Sequence, residues 1–328
     1  RGPDDDGIER LEVDGQRWRL RRVGAGPAVL LLHGTGASLH SFMGLIRALR
    51  GECMLLAPDL PGHGGSAALS ARSTSLPGFA AALAGLLAAV DFHPRLLVGH
   101  SAGVAIALQL LLDQHVPAMP VVSINGAPVP LGGLAGRVFA PMARLLAEQG
   151  FVARAVARRA ARPHLVERLL GGTGSRLDAH GVAPYRALMT QPEHIAGALR
   201  MMANWDLPGL AAALHRIESP VQLLVGDRDR TLPPGYAERV HQQLPHATVV
   251  RLGGLGHLAH EEQPERIAAC IRSALKESDL GGGERRAGQA VLGHGAGAPP
   301  MDAPRSQRGN PADPTGTGAP AAGAPAAG

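Results

Sequence analysis

Three short segments of the chain are apolar at every position: Ala28–Leu32, residues 53–57 and residues 96–98. Two more, Val121–Ile124 and residues 221–225, are interrupted only by Ser123 and by Gln222. A strand with no polar face leaves nothing for water to touch, so it has to be covered on both sides, as strands of a parallel sheet are. Helical stretches separate these runs, at residues 42–49, at 76–90 and from Ala102 onward. Strand and helix in alternation give an α/β chain with a doubly wound, mostly parallel sheet, whose sites open outside the carboxyl ends of the strands. The N-terminus departs from this rhythm. Residues 8–13 and 17–23 alternate apolar and polar around Asp14-Gly15, a type I′ turn signal, which predicts an antiparallel hairpin at the sheet edge.

The alternation stops at Pro130. From Leu131 to Ala213 no strand pattern occurs, only helix-like stretches at residues 138–148, 152–161 and 195–202, punctuated by Leu131-Gly132-Gly133 and Gly171-Gly172-Thr173-Gly174. The expected organisation is therefore a core in two parts, residues 1–130 and 214–279, with a helical cap at 131–213 inserted between them. The second part resumes with a strand at 221–225, a helix at 234–244, a strand at 248–252 and a closing helix at 264–276. Residues 280–328 are Gly, Pro, Ala and scattered charge with almost no large apolar side chain, a low-complexity tail that reads as disordered. The apolar content of 45% suffices for a large core, and no run reaches the ~20 apolar residues of a membrane span. Two cysteines, Cys53 and Cys270, make no disulfide framework, which points to a reducing, cytoplasmic setting. A net charge of +5 and 3% aromatic residues argue against nucleic-acid binding.

Chemistry enters where the strand at 96–98 ends, in Gly99-His100-Ser101-Ala102-Gly103. G-x-S-x-G between strand and helix is the pattern of a nucleophile elbow: the glycines allow close packing, and the turn lifts the serine hydroxyl clear of the sheet. A serine needs a base and a carboxylate to orient that base. His257 in Gly254-Leu255-Gly256-His257 and Asp229 in Gly226-Asp227-Arg228-Asp229 follow at two later strand ends, in the chain order serine, acid, histidine. Asp227 competes for the acid role, with Asp206 in Asn204-Trp205-Asp206 a distant third; Asp229 is preferred because Gly-x-x-Asp sets it a little beyond the strand. The oxyanion amides are expected from Ala102, at the start of the helix, and from Thr35 in His33-Gly34-Thr35-Gly36. His257-Leu258-Ala259-His260-Glu261 matches neither H-E-x-x-H nor its inverse, no dinucleotide or P-loop fingerprint is complete, and no metal or cofactor is expected.

From about Arg10 to Lys276 these features resemble the α/β-hydrolase family. The resemblance narrows through Ser123-Ile124-Asn125-Gly126-Ala127, Leu131-Gly132-Gly133-Leu134-Ala135-Gly136-Arg137, Gly172-Thr173-Gly174-Ser175-Arg176-Leu177-Asp178 and Met201-Met202-Ala203-Asn204-Trp205-Asp206. In these segments the chain is similar to the magnesium-chelatase accessory proteins of bacteriochlorophyll biosynthesis. That resemblance implies an α/β-hydrolase fold with a helical cap, and a role around insertion of Mg²⁺ into protoporphyrin IX beside the chelatase subunits. Two classes of function stay open: a serine hydrolase acting on a small-molecule ester or amide, and a porphyrin- or chelatase-binding protein without turnover. A C–C bond hydrolase or haloperoxidase with the same triad is not separable by motif. The cap segment carries ten arginines, no lysine and five acids. Arg137 and Arg176 are therefore the candidate partners for ligand carboxylates such as porphyrin propionates, with Trp205 a stacking surface.

Overall fold

A computed structural model describes residues 7–131, 150–162, 164–232 and 235–291. Eight strands, β1 (Ile8–Val13), β2 (Gln16–Val23), β3 (Ala28–Leu32), β4 (Met54–Pro58), β5 (Leu96–His100), β6 (Val121–Ile124), β7 (Val221–Gly226) and β8 (Ala247–Leu252), form one sheet in the order β1-β2-β4-β3-β5-β6-β7-β8. β1 and β2 form the expected hairpin, with Val13 opposite Gln16. Asp14 at φ 51° and Gly15 at φ 78° supply the two positive angles a type I′ turn needs. β2 runs antiparallel to β4, and every later pairing is parallel.

Helices α1 (Met43–Leu49), α2 (Leu76–Ala89) and α3 (Ala102–Leu112) fill the first half. Ser75 Oγ caps α2 by accepting from Gly78 N at 3.2 Å. Between β6 and β7 lie α4 (Gly150–Ala160), α5 (Leu165–Gly172), α6 (Ala179–Met189), α7 (Pro192–Asn204) and α8 (Leu207–Ala213), and among the described residues no strand. After β7 come α9 (Tyr236–His241), α10 (Ala259–Glu262) and α11 (Pro264–Val291). Successive side chains of a strand point to opposite faces, and the core divides accordingly. Leu30, Leu32, Leu56 and Leu97 pack with α2 and α3. Val29, Leu31, Leu55 and Val98 pack with Leu45, Ile46 and Leu49 of α1 and with Ile267 and Ile271 of α11. Each such side chain contributes roughly 1.5–3 kcal/mol of burial. Cys53 is buried and Cys270 half-buried, both as free thiols.

Two helices end elsewhere than in the sequence reading. The closing helix runs to Val291, past Lys276 and into the segment expected to be a disordered tail. α9 is shorter than expected, and its proposed first residue, Pro234, lies outside the described residues. The helix expected at 138–148 and the tail from 292 also lie outside them. The chain forms two units, Arg1–Glu284 and Arg285–Gly328.

Candidate active site

The turn between β5 and α3 holds Ser101 at φ 50°, ψ −113°, a conformation costly for a residue with a side chain. Its neighbours make that conformation necessary. A Cβ on Gly103 would stand 2.0 Å from Leu32 O, and one on Gly99 would stand 2.6 Å from Val104 N, so helix and strands approach as closely as backbone allows. The turn is tied down by Ser101 N donating to Ile124 O at 3.0 Å and by Ala127 N donating to Ser101 O at 3.0 Å. Among the described residues, Ser101 Oγ makes no hydrogen bond, and no acceptor pairs with the amides of Thr35 or Ala102.

At the ends of β7 and β8, His257 Nδ1 lies 2.7 Å from Asp229 Oδ2, with the two side chains only 7% and 4% exposed. The other carboxylate oxygen, Oδ1, accepts from Thr231 N at 2.7 Å and Leu232 N at 3.0 Å, which fixes the acid's orientation. An ionised carboxylate only accepts, so Nδ1 carries the proton and Nε2 is left with its lone pair, the arrangement of a general base. Asp227 is used differently: its Oδ1 accepts from Gly254 N at 2.8 Å. Sequence order alone ranks the two acids weakly; the hydrogen bonds separate them.

Residues that the sequence left unassigned hold this pair in place. Asn125, at the end of β6, donates from Nδ2 to Gly256 O at 3.0 Å and His257 O at 2.8 Å, and accepts Gly226 N on Oδ1 at 2.8 Å. One buried amide thus joins the ends of β6 and β7 to the histidine loop. His100, next to Ser101, adds a bond from Nε2 to His257 O at 3.0 Å, and its ring lies 4.9 Å from that of His257. Burial keeps His100 uncharged, well below the usual imidazole range. Ser175 Oγ accepts Leu258 N at 2.8 Å from the insertion side.

A second buried network fastens the loop after β3. His33 accepts Leu60 N on Nε2 at 2.9 Å and gives its Nδ1 proton to Gly34 O at 2.8 Å; burial drives its pKa down to about 3. The histidine of His33-Gly34-Thr35-Gly36 is therefore a neutral structural tie between two loops. His194 of α7 accepts Gly64 N on Nδ1 at 3.1 Å and donates from Nε2 to Gly36 O at 3.1 Å. Thr35 Oγ1 contacts Met201 Sδ, also on α7, at 3.2 Å. Asp59, fully buried, accepts Leu39 N at 2.7 Å, Gly65 N at 2.8 Å and Arg19 Nη1 at 3.0 Å.

The sheet order, the elbow and the acid–histidine pair are a recognisable set, and residues 29–270 match the alpha/beta hydrolase family. The chain belongs to the α/β-hydrolase family. It is 45% identical over 251 residues to the magnesium-chelatase 30 kDa subunit of Rhodobacter capsulatus, an alignment covering 76% of this chain and 87% of that protein. This bears out the likeness read from the insertion motifs. Among solved structures it is similar to the epoxide hydrolase CorEH without ligand (TM-score 0.71, 16% identity, 82% of this chain, 98% of the other). A thermophilic esterase from Thermogutta terrifontis is comparable (TM-score 0.64, 22% identity, 82% and 99%). At such identities these two report the hydrolase fold alone.

Of the three residues proposed on the α/β-hydrolase insertion, Arg137 lies outside the described residues. Arg176 lines a groove shared with Arg19, Arg47 and Glu261, whose wall does not include Ser101 or His257. Trp205 is half-buried against the larger core cluster, with its indole N–H buried and unpaired. Among the described residues no group of three His, Cys, Asp or Glu side chains could hold a metal ion, and no helix is long and apolar enough to cross a membrane.

Proposed function

We propose that this α/β-hydrolase is a serine hydrolase in which Ser101 is the nucleophile, His257 the base and Asp229 its orienting acid. The amides of Thr35 and Ala102 form the oxyanion hole. The reading rests on one observation above all: a buried carboxylate 2.7 Å from the Nδ1 of a buried histidine, at the strand ends beside a serine on a strained turn. His257 takes the serine proton as Oγ attacks an acyl carbon, the developing oxyanion meets two amides free of other partners, and the imidazolium returns the proton to the leaving group. The likeness to a magnesium-chelatase subunit supports a cytoplasmic accessory role in magnesium chelation during bacteriochlorophyll biosynthesis, beside chelatase subunits. A fluorophosphonate probe tests the chemistry. It should label the protein at Ser101, and Ser101→Ala should abolish labelling; labelling unchanged in that variant overturns the assignment.

A non-catalytic reading is favoured by one specific observation, the 45% identity to a protein named as a magnesium-chelatase subunit and not as a hydrolase. Under it the same frame binds a porphyrin or a chelatase subunit, with Arg137, Arg176 and Trp205 contacting the ligand, and the probe leaves the wild-type protein unlabelled.

A further inference from the structure

Away from Ser101, core and insertion enclose a groove of about 490 Å³, within the range of small-molecule sites. Arg19, Arg47 and Arg176 lie in its wall with Asp178, Glu261 and Glu262. The acids are already engaged. Asp178 Oδ1 accepts Gly181 N at 2.8 Å, and Glu262 accepts Gly256 N at 2.7 Å and Arg176 N at 3.1 Å on its two oxygens. Glu261 Oε1 accepts the Tyr185 hydroxyl at 2.6 Å, and burial pushes its pKa up to about 8, so at pH 7 it adds little charge.

The cations are not matched in the same way. Arg19 is held by Asp59, but the guanidinium groups of Arg47 and Arg176 have no partner among the described residues. α6 begins at the same wall, with Asp178 as its N-cap and His180 and Gly181 lining the groove, so the positive end of its dipole lies there too. His40, also in the wall, keeps its Nε2 buried without a hydrogen-bond partner. A hollow with two unpaired planar forks, and with acids turned to backbone amides, is complementary to an anion.

We propose that this groove is a second binding site, separate from the serine, for a small carboxylate-bearing molecule clamped by Arg47 and Arg176. Nothing in it depends on turnover at Ser101. It adjoins the histidine loop nonetheless, because Glu262 links Arg176 N to Gly256 N, one residue before His257.

Calorimetric titration of the full chain with citrate at pH 7, in 25 mM and 250 mM NaCl, tests the site. One citrate should bind per chain, several-fold more weakly at the higher salt, as contacts to exposed guanidinium groups are screened. Arg47→Gln and Arg176→Gln should each weaken binding about tenfold, the loss of one charge-assisted contact, whereas Ser101→Ala should leave it intact. No binding up to 20 mM citrate overturns the proposal, and so does binding indifferent to both arginine variants. Loss of binding in Ser101→Ala would put the anion over the serine instead, which also overturns it. Inorganic phosphate binding as tightly as citrate would remove the assignment to carboxylates.

Discussion

Replacing Asn125 by alanine leaves Gly226 N without its acceptor and Gly256 O without its donor, while His257 O keeps the bond from His100. Each orphaned buried group costs about 1–3 kcal/mol. Alanine at the φ of 43° that Asn125 adopts adds roughly 1–2 kcal/mol, since asparagine tolerates this region better. The expected loss is thus on the order of 3–8 kcal/mol, a large part of the 5–15 kcal/mol that holds a domain together. Asn125→Asp separates the causes. It keeps an acceptor for Gly226 N and the tolerance of positive φ, but an ionised carboxylate faces two carbonyl oxygens. Only the protonated acid can donate to one of them, so its pKa is raised in the folded state, and its stability relative to wild type falls as pH rises. Urea unfolding followed by circular dichroism at pH 5, 6.5 and 8 measures both effects. An Asn125→Ala loss below 1 kcal/mol, or an Asn125→Asp deficit equal at pH 5 and pH 8, would refute the idea that this amide fastens the histidine loop.

Asp229→Asn should slow fluorophosphonate labelling by several orders of magnitude through the wrong imidazole tautomer, whereas Asp227→Asn should slow it less than about tenfold; the opposite ranking transfers the acid role to Asp227. Glu261 has a folded pKa of about 8 against an ordinary 4.5, so between those values the folded state holds a proton that the unfolded state has released. Its contribution to stability is fully present below pH 4.5 and declines as pH rises toward 8. Glu261→Gln should remove that decline, which unfolding midpoints at pH 5 and pH 8 compare directly; equal slopes in both proteins would show that Glu261 ionises normally.

Much of this was legible in the residues, because the signals were local. The apolar run of β3 leaves no alternative to a strand covered on both faces, and Asp14-Gly15 dictates a turn within two residues. Asp229 could be preferred over Asp227 from its offset beyond β7, a short-range inference, and its Oδ2 lies 2.7 Å from His257 Nδ1. What stayed hidden was long-range. Asn125 looks like the polar end of a strand until the histidine loop, more than a hundred residues away, is brought against it. His194 sits in an ordinary helical stretch, and nothing in its neighbours announces two loops from the first quarter of the chain as its partners. Arg176 stands out as a candidate partner for ligand carboxylates because charge can be counted from sequence. The direction in which the segment after α5 carries it cannot, and that direction leads to the groove beside Arg47.

The position of α7 also bears on how anything enters. Its His194 spans the loops after β3 and β4 with two hydrogen bonds, Met201 touches Thr35, and the backbone at Gly197 lies so close to Gly62 that a Cβ there would stand 1.9 Å from Gly62 O. A helix seated backbone on backbone cannot slide without breaking these contacts together, which makes it a fixed post rather than a swinging door. Exchange of α7 amides with solvent should accordingly be slow.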